Sequence, residues 1–296
     1  MKKILLACIG IILLMQSCYD EYKADFDYTS TYFALQTPLR TLVLEDGEEL
    51  SFETGVVLAG KYVNDQEEVV NFEIQPSMLD HYPDLELLPT DYYDISNTEF
   101  VIKKGEILGT VKVTLNEQFI NDPKAHTINY ALPIRITNKN NIDSIAPDKD
   151  STVVAIKYHN SYYGAYWIKG VDYTLDASEA PVDTFTYANE DLVDNTYKTF
   201  QTLSSDSSRV DYLGADKQNN AIKLHIDGTN VEVLGDEASN TYTNVTGTGT
   251  YNKEDRTFTI EYTYEDEGVK HLVKDTLYYF DTPMKVESWM TELGLN

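Results

Sequence analysis

The most specific chemistry in this chain belongs to Cys18, which follows Leu13-Leu14-Met15-Gln16-Ser17 and precedes Tyr19-Asp20-Glu21. Cleavage directly before a cysteine, with a small residue at the cut, offers its thiol to a diacylglycerol and its freed amine to an acyl chain. Lys2 and Lys3 supply the positive start of such a leader, and Ile4 to Met15 form an apolar run of twelve residues. That run is shorter than the roughly 20 residues a membrane-crossing helix needs, and it suits the core of a signal peptide. Residues 1–17 therefore read as a lipoprotein signal peptide, with Cys18 as the lipidated first residue of the mature chain. Two or three acyl chains anchor stably where one holds marginally. The competing reading is an ordinary secretory leader, or a signal anchor, with an incidental cysteine. Met15, where leucine is commoner, is the one departure from the pattern.

Tyrosine is the next candidate, at 23 of 296 residues. An amphipathic ring stacks on sugar C–H groups while its hydroxyl hydrogen-bonds, although tyrosine also favours any strand. The candidates for ligand contact are Tyr162, Tyr163 and Trp167, which fall near the junction of two predicted domains, followed by Tyr278 and Tyr279. Clefts between domains are frequent ligand sites. Trp167 has a second reading as the plug at the bottom of a barrel.

Other chemistries find little support. The five histidines, His81, His126, His159, His225 and His271, show no metal-ligand spacing. No nucleophile elbow or phosphate-cradling glycine loop occurs, so no catalytic residue, metal site or cofactor is assigned. Asp46-Gly47-Glu48-Glu49 and Asp148-Lys149-Asp150 resemble fragments of calcium loops without a full pattern. A glycosidase would need two carboxyls about 5–10 Å apart in a cleft, and 49 acidic residues supply chance pairs throughout.

Charge narrows the partners. Removing residues 1–17 takes Lys2 and Lys3, so 23 basic residues become 21 against 49 acidic ones, a net charge of −28 on the mature chain. Such a surface repels nucleic-acid phosphates, which excludes a nucleic-acid partner, and it suits neutral or cationic ones. Cys8 leaves with the leader and Cys18 is acylated, so the folded part has neither disulfide nor cysteine nucleophile. Its length exceeds one comfortable core and predicts two domains.

The elements that must position these residues are strands. Gly109, Val111, Val113 and Leu115 share one face, as do Tyr130, Leu132, Ile134 and Ile136. Pro133 cannot donate to a ladder and predicts an edge strand or a bulge. A short helix is expected near Glu117–Asn121. About seven to nine short strands over about 130 residues predict an immunoglobulin-like β-sandwich, placed at residues 29–159 behind a flexible tether at 18–28. Residues 160–296 continue in the same period, with Phe258, Ile260, Tyr262 and Tyr264 on one face. Eight predicted strands there suit an antiparallel β-barrel, and Gly164-Ala165-Tyr166-Trp167 is similar to the opening of lipocalin-like barrels. Val286, Trp289, Met290 and Leu293 give the stripe of a short C-terminal helix, expected to pack on the barrel. The fold class is thus all-β in both domains.

Several segments resemble a known family. They are Tyr32 to Leu44, Thr54 to Gly60, Leu87 to Tyr93 and Tyr130 to Ile136. These are similar to the β-sandwich domain at the front of many Bacteroidetes surface lipoproteins, some of them family-18 endo-β-N-acetylglucosaminidases. The span from Tyr163-Gly164 to Lys274-Asp275-Thr276-Leu277 resembles a domain of unknown function that follows that sandwich in non-enzymatic lipoproteins. The acidic residues Asp20, Glu21 and Asp25 behind Cys18 resemble the surface-export signal of such proteins. The resemblance implies a lipid-anchored outer-membrane protein, exposed at the cell surface. It further implies a non-catalytic glycan-binding or accessory role in polysaccharide utilisation, beside an outer-membrane oligosaccharide transporter. A small glycosidase and an adhesive surface subunit are the alternatives.

Overall fold

The structure is a computed structural model that describes residues 26, 28–45, 47–215, 220–283 and 288–295. Cys18, the leader and most of the tether lie outside the described residues, as do Asp46 and Val286. The first half contains β1 (Ser30–Tyr32), β2 (Leu39–Leu44), β3 (Ser51–Ala59), β4 (Glu68–Ile74), β5 (Glu86–Leu87) and β6 (Tyr93–Ile95). It continues with β7 (Glu99–Ile102), β8 (Leu108–Leu115), β9 (Tyr130–Asn138), β10 (Ser144–Ile145) and β11 (Ser151–Asn160). One sheet runs β10-β1-β3-β8-β6 and the other β2-β11-β9-β4-β7, with β5 beside β9. The inward rows predicted for β8 and β9 meet between the sheets, where Phe33, Phe72 and Phe100 pack ring to ring. The expected helix forms at Glu117–Ile120, where the Asn116 side chain accepts from the Gln118 and Phe119 amides.

Pro133 does not mark an edge. β9 lies inside its sheet, between β11 and β4. The proline carbonyl accepts from the Gln75 amide, just past the end of β4, while β5 reaches only Tyr130 and Ala131. The missing N–H therefore falls in the gap where one neighbour stops and the next begins. A register shift does occur in the β4–β9 pairing, but between Asn71 and Phe72, away from the proline.

The second half contains β12 (Ala165–Leu175), β13 (Pro181–Tyr187), β14 (Tyr197–Thr199), β15 (Gln201–Thr202) and β16 (Ser207–Val210). The last five strands are β17 (Ile222–Asp227), β18 (Asn230–Gly235), β19 (Thr243–Asn252), β20 (Thr257–Asp266) and β21 (Val269–Asp281). They pair in the order β13-β12-β21-β20-β19-β18-β17-β16-β15. β14 pairs back onto β12 at Ala165–Trp167, and only Phe200 separates it from β15. The pairings thus return to their starting strand, and the sheet curls into an antiparallel barrel with few free edges. Phe258, Ile260, Tyr262 and Tyr264 fill its interior as their alternation predicts. The β20–β21 hairpin turns on Glu267 and Gly268, both at positive φ, as a two-residue turn matched to strand twist requires.

The C-terminal helix does not pack on the barrel. Trp289–Glu292 form one turn that docks on the outer face of the sandwich sheet, where Trp289 joins Leu39, Leu79, Leu85, Ala131, Val153 and Ala155 in a separate apolar cluster. This cover explains why Ala131 and Pro133 are buried although they face away from the main core. Asn160 fixes the join between the halves: its side-chain amide donates to the Ser204 and Ser207 carbonyls, each at 2.9 Å. Among the described residues no helix is long and apolar enough to cross a membrane.

Candidate functional site

The predicted ligand residues separate into two places. Tyr166 and Ile168 point into the barrel, so alternation turns Trp167 outward, and the barrel-plug reading of Trp167 is corrected. Opposite it on β21 stands Tyr278. The register slips between Ala165 and Tyr166, leaving Phe280 as the extra residue of a bulge. That extra residue stacks on Trp167 with centroids 4.4 Å apart, and Tyr197 meets the indole edge-on at 5.2 Å. Tyr197 is 54% and Phe280 40% exposed. The result is an aromatic patch on the barrel's outer face. It continues into the polar row of Lys169, Thr276 and Thr259, which stand side by side across three strands.

Tyr162, Tyr163 and Tyr279 gather instead at the domain junction, around Arg256. This residue sits at φ 52° in the turn after β19. Its Nη2 donates to the Ser161 and Tyr163 carbonyls at 2.9 Å, and its guanidinium lies 3.7 Å from the Tyr279 ring centroid. Tyr162 packs edge-on against Tyr251 and borders a cleft of about 240 Å³ shared with Glu45, Lys253 and Arg256. Tyr163 is occupied elsewhere, stacked on His159 at 3.6 Å with its hydroxyl donating to the Pro283 carbonyl. Burial, reinforced by Lys157 and His126, holds the His159 imidazole down to about 4, so the stack is between neutral rings at neutral pH.

A third cluster was not among the expectations. Inside the barrel, the hydroxyls of Tyr187, Tyr212 and Tyr262 all donate to the carboxylate of Asp275, the latter two at 3.1 and 3.3 Å. Nearby, Asp172 accepts from the Tyr264 hydroxyl at 2.7 Å and contacts His271 Nδ1 at 2.9 Å. Asp275 is 2% exposed. Desolvation pushes its carboxyl up to about 7, opposed by the three phenol donors and reinforced by Asp172. Alternation gave a signal, because Asp275 sits between the inward Val273 and Leu277; the surplus of acidic residues masked it. Glycines make room for both carboxylates. A Cβ on Gly170 would lie 1.8 Å from Asp275 Oδ1, and one on Gly214, at φ +52°, 2.7 Å from Asp172 Oδ2. Gly170→Ala should therefore destabilise the chain by about 1–3 kcal/mol, the usual cost of overpacking, measured by urea unfolding. Among the described residues no cluster of histidine and carboxylate ligands could hold a metal.

The two halves also match separate family models. One, described as a "-like, N-terminal domain", covers residues 26–143, and one described as "-like, C-terminal" covers residues 150–278. A Bacteroides ovatus protein of unknown function shares the two-domain fold, at a TM-score of 0.76 and 22% identity over 89% of this chain and 98% of its own. A second B. ovatus protein of unknown function aligns at TM-score 0.48 and 16% identity, over 89% and 99% of the two chains. A third, provisionally named a carbohydrate binding protein, aligns at TM-score 0.34 and 15% identity, over 83% and 74%. Likeness at those last two levels carries no argument about a ligand. A comparison with curated proteins finds no match.

Proposed function

We propose that this chain is a non-catalytic glycan-binding lipoprotein of the outer surface, tethered through Cys18. The observation that carries the glycan reading is the patch of Trp167, Tyr278, Phe280 and Tyr197. Apolar rings held at fixed spacing on a rigid sheet offer a stacking surface, and the adjoining threonine hydroxyls match the polar edges of a sugar. Rings already packed against one another lose little freedom when a ligand arrives. The location rests on the leader motif in the sequence. The enzyme alternative needs two carboxyls in an accessible cleft, and the pair inside the barrel, Asp172 and Asp275, is buried.

The test is affinity electrophoresis and calorimetry on a panel of soluble polysaccharides. Trp167→Ala and Tyr278→Ala should each weaken binding roughly tenfold, as loss of a central aromatic contact does, while the unfolding midpoint changes little. Retention of no glycan by the native protein, or unchanged binding by both variants, would remove the reading. Release of reducing sugar that Asp275→Asn abolishes would favour the enzyme instead. Acylation of Cys18 is checked separately by mass spectrometry of the native amino terminus.

A further inference from the structure

The end of the barrel beside β13 holds a cavity that the outer patch does not use. Among the described residues β13 pairs only with β12, and it leaves most of its side chains exposed on both faces. Phe185 and Tyr187 share its inner face, with rings 6.3 Å apart. Together with Tyr212 and Ile168 they wall a space of about 240 Å³, whose rim includes Asn189 and Asp194. That volume lies below the usual range for drug-sized ligands, about 300–1,000 Å³, and suits a small one.

The walls define the chemistry of an occupant. Tyr187 and Tyr212 both commit their hydroxyls to Asp275, so they offer the cavity their rings and not their polar ends. Once Asp275 is ionised, above about pH 7, a phenol that donates to it gains electron density, which strengthens the attraction of its ring for a cation. None of the described lining residues is cationic, and Asp194 adds negative charge at the rim. The net charge of −26 on the whole chain acts in the same direction.

We infer that this cavity binds a small organic ammonium, with its charged head against the rings of Phe185, Tyr187 and Tyr212 and Asp194 beside its entrance. The site is separate from the proposed glycan surface and stands or falls without it. The ring geometry selects a compact alkylated nitrogen over a strongly hydrated metal ion, because only the former can shed its water onto aromatic faces.

The experiment is calorimetric titration of the full chain with choline and with 3,3-dimethylbutan-1-ol, which has the same shape without the charge. Choline is expected to bind, and the neutral analogue about tenfold more weakly or worse, the difference a desolvated cation–π contact supplies. Tyr187→Leu should weaken choline by a similar factor, and Asp194→Asn by roughly twofold or more as an exposed charge. Trp167→Ala should leave it unchanged, which separates this site from the outer patch. Because Tyr187 is tied into the interior, that variant is read only where circular dichroism shows a native fold. Asp194 is exposed, so its substitution keeps the test available in either case. Absence of choline binding, equal binding of the two probes, or unchanged affinity in Asp194→Asn would overturn the inference.

Discussion

Replacing Trp289 by alanine should cost about 3–5 kcal/mol of stability, the range for truncating a fully buried aromatic. The indole is 0% exposed. It donates from Nε1 to the Val153 carbonyl at 2.7 Å and sets its ring edge-on against Tyr82 at 4.8 Å. The helix that carries it spans only Trp289–Glu292, far below the length at which a helix holds by itself, so docking alone keeps it formed. Other contacts support it: the Trp289 amide donates to the Thr37 carbonyl at 3.2 Å, the Thr37 and Ser288 hydroxyls bond at 2.7 Å, Lys157 pairs with Glu292 at 3.3 Å, and Met290 and Leu293 pack on the same cluster. Without the indole, Leu39, Leu79, Leu85, Ala131 and Val153 would face water on the outside of the sandwich, and the exposed patch would favour association. Urea unfolding with light scattering measures both effects. A loss below about 1 kcal/mol would show that the helix is an ornament of the sandwich rather than its cover.

The same tryptophan shows how far the sequence reaches. The spacing of Trp289, Met290 and Leu293 announces a helix with one apolar face, but an apolar stripe says only that something covers it. Which surface does so depends on where the chain end returns, and here it crosses back to the first domain. The strands were legible because alternation is local: the rows in β8, β9 and β20 follow from side-chain direction alone. Trp167 shows the limit of that rule. Alternation places Tyr166 and Trp167 on opposite faces, yet both are large and aromatic, so it cannot say which enters the barrel. Tyr162 and Tyr279 were legible as candidates by type and position. Arg256, which binds carbonyls 95 and 93 residues away, was not, because a basic residue in a turn carries no sign of a distant partner. Pro133 misled for a different reason. The ladder rule assumes continuous neighbours on both sides, and here one strand ends where another begins.

Asp275 makes the stability of the chain depend on pH in a predictable direction. In the unfolded chain its carboxyl ionises near 3.8, whereas in the barrel it keeps its proton up to about 7. Between those values the native state holds the extra proton, so stability falls as pH rises. The stabilising contribution is complete below about pH 4 and lost by the time pH passes 7. The interval corresponds to about 4 kcal/mol at most. Asp275→Asn removes the ionisation while keeping an oxygen that can accept from the tyrosines. Its stability should therefore converge with the native protein's, or fall below it, near pH 4 and gain on it by a few kcal/mol by pH 8. Every other titrating group is common to both proteins, so the difference between their unfolding free energies isolates this carboxyl. Urea titrations at pH 4.5, 6 and 8 measure it, and parallel curves across that span would mean that the barrel interior admits enough water to solvate the charge. A gain at pH 8 would instead identify a buried carboxylate that the fold retains at a cost in stability, as groups kept for a ligand often are. Choline titrations of the same variant would then show whether the charge behind Tyr187 and Tyr212 serves the cavity those two rings enclose.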